Sequence, residues 1–172
     1  MSNKSVAEVT LNPTKHGLDA DTRQAVVDLL NARLADVIDL ELQAKQAHWN
    51  VKGPNFIGLH ELFDQVSAAA AKYKDEIAER AVMLGGTAVG TAQAVVERTM
   101  LPPYPIEAQD WHSHVDCVSS ALAKFGTALR KAIEDSDELE DAVTVDLFTG
   151  IALEIDKYMW FVEAHKDDVK KR

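Results

Sequence analysis

The sequence predicts an all-α protein, a four-helix bundle with a short helix in the long connection between its second and third helices. Three observations carry this. Four long segments repeat apolar residues in steps of three and four, the period of one buried helix face. No stretch of consequence alternates apolar and polar residues as a half-buried strand would. Between the long segments lie clusters of Gly, Pro, Asn and Asp, which stop or cap helices.

Residues 1–20 lack periodicity and carry Lys4, Lys15 and His16 against Glu8 and Asp19, so a flexible tail is expected there. Asp21 and Gln24 have capping-box spacing and open a first helix reaching to about residue 50. Its inward stripe runs Val27, Leu30, Leu34, Val37 and Ile38, then continues through Glu41, Ala44 and His48. Polar groups therefore enter the apolar face near its C-terminal end. Lys52-Gly53-Pro54-Asn55 is a breaker with Asn55 as the N-cap of a second helix, residues 56–84, which stops at Gly85-Gly86. So short a link makes the first two helices antiparallel neighbours. Residues 87–106 form the long connection, with a short helix over Thr91 to Arg98 and a Pro-rich end. A third helix is expected over 107–134, with Val115, Val118, Leu122, Phe125, Leu129 and Ala132 inward. Asp137 and Glu140, again at capping-box spacing, would open a fourth over 138–165 that buries Phe148, Ile151, Ile155, Tyr158 and Val162. The bundle thus spans 21–165, and a short charged tail, 166–172, follows.

A chain of 172 residues is long enough for one domain with an ample core, and 47% hydrophobic with 27% charged residues is an ordinary soluble composition. The net charge of −10, from 28 acids against 18 bases, argues against a uniformly basic nucleic-acid surface and suits a protein that attracts cations. No apolar run reaches the length of a membrane span, and the first residues hold no apolar signal-like core. Cys117 is the only cysteine, which excludes an internal disulfide and fits a reducing cytoplasm; on a helical pattern it reads as packing.

The chemistry concentrates between His48 and Glu79. This stretch holds five potential metal ligands: His48, His60, Asp64, Asp75 and Glu79. His60 with Asp64, and Asp75 with Glu79, are each four apart, so each pair stacks on one helix face. Phe56, Leu59, Phe63, Val66, Ala70, Ile77, Ala81 and Leu84 make the core stripe; the ligand pairs lie on a second stripe about a quarter turn away, with Ala68 and Ala71 between them. The midpoints of the pairs are about 22 Å apart along a helix, whereas a metal–ligand bond is about 2 Å, so one chain cannot close a site. An antiparallel second copy across a two-fold axis would set Asp75 and Glu79 of one chain against His60 and Asp64 of the other, forming two sites at once. No histidine has a Glu three residues before it, so the usual intrachain di-iron pattern of bundles is absent. A mixed imidazole and carboxylate set without thiolate admits iron, manganese or zinc.

His48-Trp49-Asn50, Gly53-x-Asn55-Phe56, His60-Glu61-x-x-Asp64 and Asp75-x-x-x-Glu79-Arg80 resemble the Dps family, the DNA-binding proteins from starved cells, a mini-ferritin branch of the ferritin superfamily. The likeness continues through Gly85-Gly86 and Ile155-Asp156-Lys157-Tyr158-Met159-Trp160-Phe161, and covers residues 20–165. It implies a hollow homododecamer with ferroxidase centres between two-fold-related subunits. His48, His60 and Asp64 would come from one subunit, Asp75 and Glu79 from its neighbour. Two Fe(II) ions per site would be oxidised there, preferably by hydrogen peroxide, and stored as ferric oxyhydroxide, with zinc or manganese able to substitute. Pairing two one-electron donors with a two-electron oxidant limits hydroxyl radical release. Carboxylates also favour the ferric product, because its extra charge strengthens the attraction. The resemblance further implies acidic pores on three-fold axes, for which Asp137, Asp141 and Asp146 are candidates, and Trp49 is placed to intercept a stray radical. DNA, bound without sequence preference, would meet the tail residues Lys4, Lys15, Lys166, Lys170, Lys171 and Arg172. The implied location is the cytoplasm, in association with the nucleoid, with no membrane partner. The alternative reading is a DNA-compacting nucleoid protein with a secondary metal site.

Overall fold

The computed structural model describes residues 10–166, so Lys4, Lys170, Lys171 and Arg172 lie outside the described residues. Five helices follow in order: α1 (Ala20–Asn50), α2 (Phe56–Met83), α3 (Ala92–Arg98), α4 (Trp111–Glu138) and α5 (Ala142–Glu163). α1 packs on α2 and α4 on α5, and contacts of α1 with α4 and of α2 with α5 close the bundle; α3 rides on α1. There is no strand among the described residues. The core is the expected one, with Leu30, Leu34, Phe63, Val66, Ile77, Leu122, Phe125, Leu129, Phe148 and Ile155 all sealed from solvent. Three apolar positions depart from the expected stripes. Phe56, in the first turn of α2, is 41% exposed, and Ile38 and Tyr158 are half-buried.

The helix starts use a pattern other than the capping box. Asp19, not Asp21, caps α1, accepting Thr22 N–H and the Thr22 hydroxyl, both at 2.9 Å. Gln24 donates instead to Asp28. Asp110 caps α4 in the same way through Ser113 N–H at 3.0 Å and its hydroxyl at 2.6 Å. Asp141 caps α5 through Thr144 N–H at 3.3 Å and its hydroxyl at 2.6 Å. Each of these three helices therefore begins with an Asp whose carboxylate takes both the N–H and the hydroxyl of a Ser or Thr three residues on. Asn55 stands at the N-cap position of α2, but its side chain makes no capping bond.

Asp137 and Glu140 end α4 rather than begin α5. Glu140 adopts φ +57°, its N–H reaches the Asp137 carbonyl at 2.9 Å, and the Asp141 N–H reaches the Ser136 carbonyl at 3.0 Å. This paired closure is a Schellman motif. α2 ends identically at Gly85 (φ +86°), with Gly85 N–H on Val82 and Gly86 N–H on Ala81, both 2.9 Å. There a side chain has no room, since a Cβ on Gly85 would stand 2.6 Å from the Asn12 carbonyl oxygen.

That contact belongs to a segment expected to be part of a flexible tail. The Asn12 N–H donates to the Gly85 carbonyl at 2.7 Å, and Leu11 and Leu18 pack against the core. Residues 11–18 are thus docked on the end of α2. α1 also fixes the long connection along its own flank. Asn31 pairs with Thr87 and Val89, Asp36 accepts Met100 N–H at 2.8 Å, Asp39 accepts the Thr99 hydroxyl at 2.8 Å, and Gln43 reaches Pro102 at 2.9 Å.

Asp141 is 3% exposed and takes two hydrogen bonds from Arg80, at 2.8 and 2.9 Å, while Arg80 Nε donates to Thr144 at 3.0 Å. Its carboxylate is spent inside the subunit, so Asp141 is withdrawn as a pore-lining residue. Burial pushes its pKa up, but hydrogen bonds from Thr144 and Arg80 outweigh that and hold it below the ordinary carboxylate value. A depressed folded-state pKa contributes stability above about pH 4, lost as pH falls further. Asp141→Ala strips the α5 cap and leaves Arg80 charged and unpaired, so a loss of about 3–5 kcal/mol is expected in denaturant titration at neutral pH. The variant should show less acid sensitivity than wild type; wild-type stability would contradict the assignment.

Candidate metal centre

The α1–α2 turn brings His48 and His60 face to face. Their rings stack with centroids 3.7 Å apart and planes at 22°. Each ring bonds the other residue's backbone: His48 Nδ1 to the His60 carbonyl at 2.7 Å, and His60 Nδ1 to the His48 carbonyl at 2.8 Å. Carbonyl oxygens only accept, so both imidazoles donate from Nδ1, and in the neutral ring Nε2 is left as the lone pair. Metal-binding histidines are held in this way, with the second nitrogen fixed by a carbonyl or carboxylate. The His48 carbonyl is also one of the orphan acceptors at the end of α1, so His60 caps that helix as it is oriented.

Asp64 lies one turn beyond His60 on α2, its side chain about half exposed. It is hydrogen-bonded by Lys45 of α1, and that ammonium holds its carboxyl below the ordinary value. His48 and Lys45, one turn earlier on α1, meet His60 and Asp64 at this end, while Glu41, a further turn back, pairs with Lys74 of α2 at 2.6 Å. Lys45 and the Glu41–Lys74 pair were missed by sequence reading, although their steps of three and four with His48 could have pointed to them. Arg80, read only as part of the motif, anchors the far end of α2 through Asp141.

Asp75 and Glu79 are exposed on α2, and as α2 is unbroken they lie about 22 Å from His60 and Asp64. Among the described residues no three His, Cys, Asp or Glu side chains gather as a metal site. The structure brings His48 and His60 together, sets Asp64 one turn further along α2 on Lys45, and leaves Asp75 and Glu79 apart. Around the histidine end sit exposed Trp49 (66%), Ile57 (60%) and Leu42 (59%), and beyond Glu79 sit exposed Val82 and Met83. Ala68 is exposed and Ala71 half-buried midway. Asp137 and Asp146 are exposed on α4 and α5; Lys15 is exposed, and Lys166 is paired with Asp116 at 3.0 Å. Cys117 is half-buried, and burial raises its thiol pKa, as suits a packing residue. No helix among the described residues is long and apolar enough to cross a membrane.

A family model for the ferritin-like domain matches residues 27–172. The DNA protection during starvation protein of Agrobacterium fabrum is 46% identical over 152 residues, 88% of this chain and 94% of that protein. A Dps structure from Mycobacterium smegmatis superposes with TM-score 0.87 at 35% identity, covering 94% of this chain and 97% of its own. DpsC from Streptomyces coelicolor gives 0.90 at 30% identity, over 98% and 99%. The chain belongs to the Dps family. The ferritin-like bundle of the Dps family, with its short helix in the central connection, is the architecture described above.

Within this Dps fold, a cation taken up by Asp64 has to displace the Lys45 ammonium from it. Replacing Lys45 by Met keeps the aliphatic stem and removes the competitor. An exposed ion pair is worth under about 1 kcal/mol, so Lys45→Met should tighten Zn(II) binding to the assembled protein by roughly two- to five-fold. Isothermal titration calorimetry at low salt measures this. Unchanged binding would mean that Asp64 acts only as a partner for Lys45.

Proposed function

We propose that the protein is a ferroxidase and iron-storing mini-ferritin, a homododecamer in which each two-fold interface completes two sites. His48, His60 and Asp64 of one subunit and Asp75 and Glu79 of its neighbour bind up to two Fe(II) ions as substrate. The observation that carries this reading is the reciprocal lock between His48 and His60, which leaves both Nε2 atoms free beside Asp64. Lone pairs prepared in that way suit a divalent cation, and three ligands leave the coordination shell incomplete. Asp75 and Glu79 are exposed on the same helix and are flanked by apolar side chains that a second copy would cover. Alanines midway along the helix permit a close approach.

Hydrogen peroxide is the proposed oxidant. It accepts two electrons and two protons to give two waters, so two Fe(II) oxidised together consume it without releasing hydroxyl radical. The ferric product passes inward for storage as oxyhydroxide, and zinc or manganese compete at the same site. Trp49, two-thirds exposed beside His48, is a candidate radical trap. With Asp141 removed, Asp137 and Asp146 remain the candidates for an acidic iron entrance. Relatives are named for DNA protection during starvation, and here protection is proposed to follow from removing Fe(II) and peroxide together in the cytoplasm. A net charge of −10 opposes direct DNA contact, which would fall to the tails, where Lys4, Lys170, Lys171 and Arg172 lie outside the described residues.

Stopped-flow oxidation of Fe(II) by peroxide tests the proposal. Asp75→Ala with Glu79→Ala should reduce the rate by about two orders of magnitude or more, while light scattering still finds the assembled particle. Wild-type rates in that variant would remove both carboxylates from the site.

A further inference from the structure

The turn from Asn50 to Asn55 joins the two helices that carry His48 and His60, and residues of α4 pack against it. Gly53, at φ +119°, lies under the indole of Trp111 on α4, where a Cβ would stand 2.9 Å from Trp111 Cδ1. One turn along α4, His114 is 1% exposed. Its Nδ1 is hydrogen-bonded to the Tyr104 hydroxyl, with the two rings stacked at 6.2 Å. Its Nε2 is sealed from solvent and has no hydrogen-bond partner. The backbone of Asn50, the last residue of α1, faces this ring.

A buried polar atom without a partner costs about 1–3 kcal/mol, so one facing a functional turn calls for a reason. Burial keeps the Tyr104 phenol protonated and His114 neutral. The phenol then donates to Nδ1, and the single ring proton resides on Nε2. α1 ends with orphan carbonyls: the Ala47 carbonyl is taken by Val51 N–H at 2.9 Å and the His48 carbonyl by His60, while Asn50 is the one His114 faces. We propose that His114 is a positioning residue for the metal centre, its Nε2–H holding the Asn50 end of α1 so that His48 and His60 stay locked. This rests on the ferroxidase reading above. Tyr104 sets the tautomer, His114 holds the turn, and the turn aims the two Nε2 lone pairs.

Co(II) is the probe, because its visible absorption reports ligand geometry directly. His114→Leu fills the same space without a donor, whereas His114→Gln can both accept from Tyr104 and donate to Asn50. The expected result is about tenfold weaker Co(II) binding with an altered spectrum in the Leu variant, the scale of lost support behind a metal ligand, and recovery of most of the affinity in the Gln variant. Circular dichroism and light scattering should match wild type in both. Wild-type binding in the Leu variant, or equal losses in Leu and Gln, would overturn the proposal in favour of plain packing. If the Leu variant does not assemble, Tyr104→Phe removes only the hydroxyl and should give a smaller loss in the same direction; wild-type binding there overturns the proposal. Asp75→Ala with Glu79→Ala serves as control. Should it bind Co(II) with the wild-type spectrum, the intersubunit site itself fails, irrespective of His114.

Discussion

α2 is one unbroken helix of 28 residues, so the ligands near its start and those near its end are held about 22 Å apart. No side chain spans that gap, and no bend in the helix shortens it. Everything about the candidate centre follows from this spacing. In the proposed centre His48, His60 and Asp64 are one half-site and Asp75 and Glu79 the other, and a two-fold axis is the simplest operation that joins them twice. The half-sites are also complementary in character: imidazole lone pairs and a Lys-held carboxylate at one end, two exposed carboxylates at the other.

Such an arrangement works only if each end of α2 is fixed within its own subunit. At the start, the histidine lock ties α2 to the end of α1, with Trp111 and His114 of α4 behind it. At the end, the Schellman closure at Gly85 receives Asn12, and Arg80 is clamped by Asp141 and Thr144 of α5. The Arg80–Asp141 pair is sealed from solvent, where removing one partner costs far more than the pair contributes. Both ligand pairs therefore sit on a helix whose register is pinned from three other helices. An acidic surface elsewhere keeps the local concentration of cations high.

The bundle, its core stripes and the spacing of the candidate ligands along α2 were legible in the sequence because they depend on periodicity alone. Positions three and four apart share a face whatever else the chain does, which is why Leu30, Phe63, Leu122 and Ile155 read as core and His60 with Asp64 as a pair. The helix boundaries were less legible. Asp21-Gln24 and Asp137-Glu140 have capping-box spacing, yet Asp19, Asp110 and Asp141 win because a Ser or Thr three residues on offers both an N–H and a hydroxyl. Glu140 in a left-handed conformation is invisible to a pattern search that expects Gly there. Asp141 looked like a surface acid because its partner, Arg80, lies 61 positions away. Residues 11–18 looked like tail because a docked, non-periodic strap leaves no period to read. Lys45 was passed over for a related reason: a lysine on a helix flank is usually solvated, and only the fold places it on Asp64.

The most direct test is complementation between two inactive variants. One carries His60→Ala and Asp64→Ala, the other Asp75→Ala and Glu79→Ala. Each alone has two broken sites at every two-fold interface. In a mixed dimer one interface site combines two mutated halves and the other combines two intact halves. Random co-assembly from equal amounts should therefore restore roughly one quarter of the wild-type peroxide-driven Fe(II) oxidation. No recovery in co-assembled particles, or full activity in either variant alone, would contradict a centre shared between subunits.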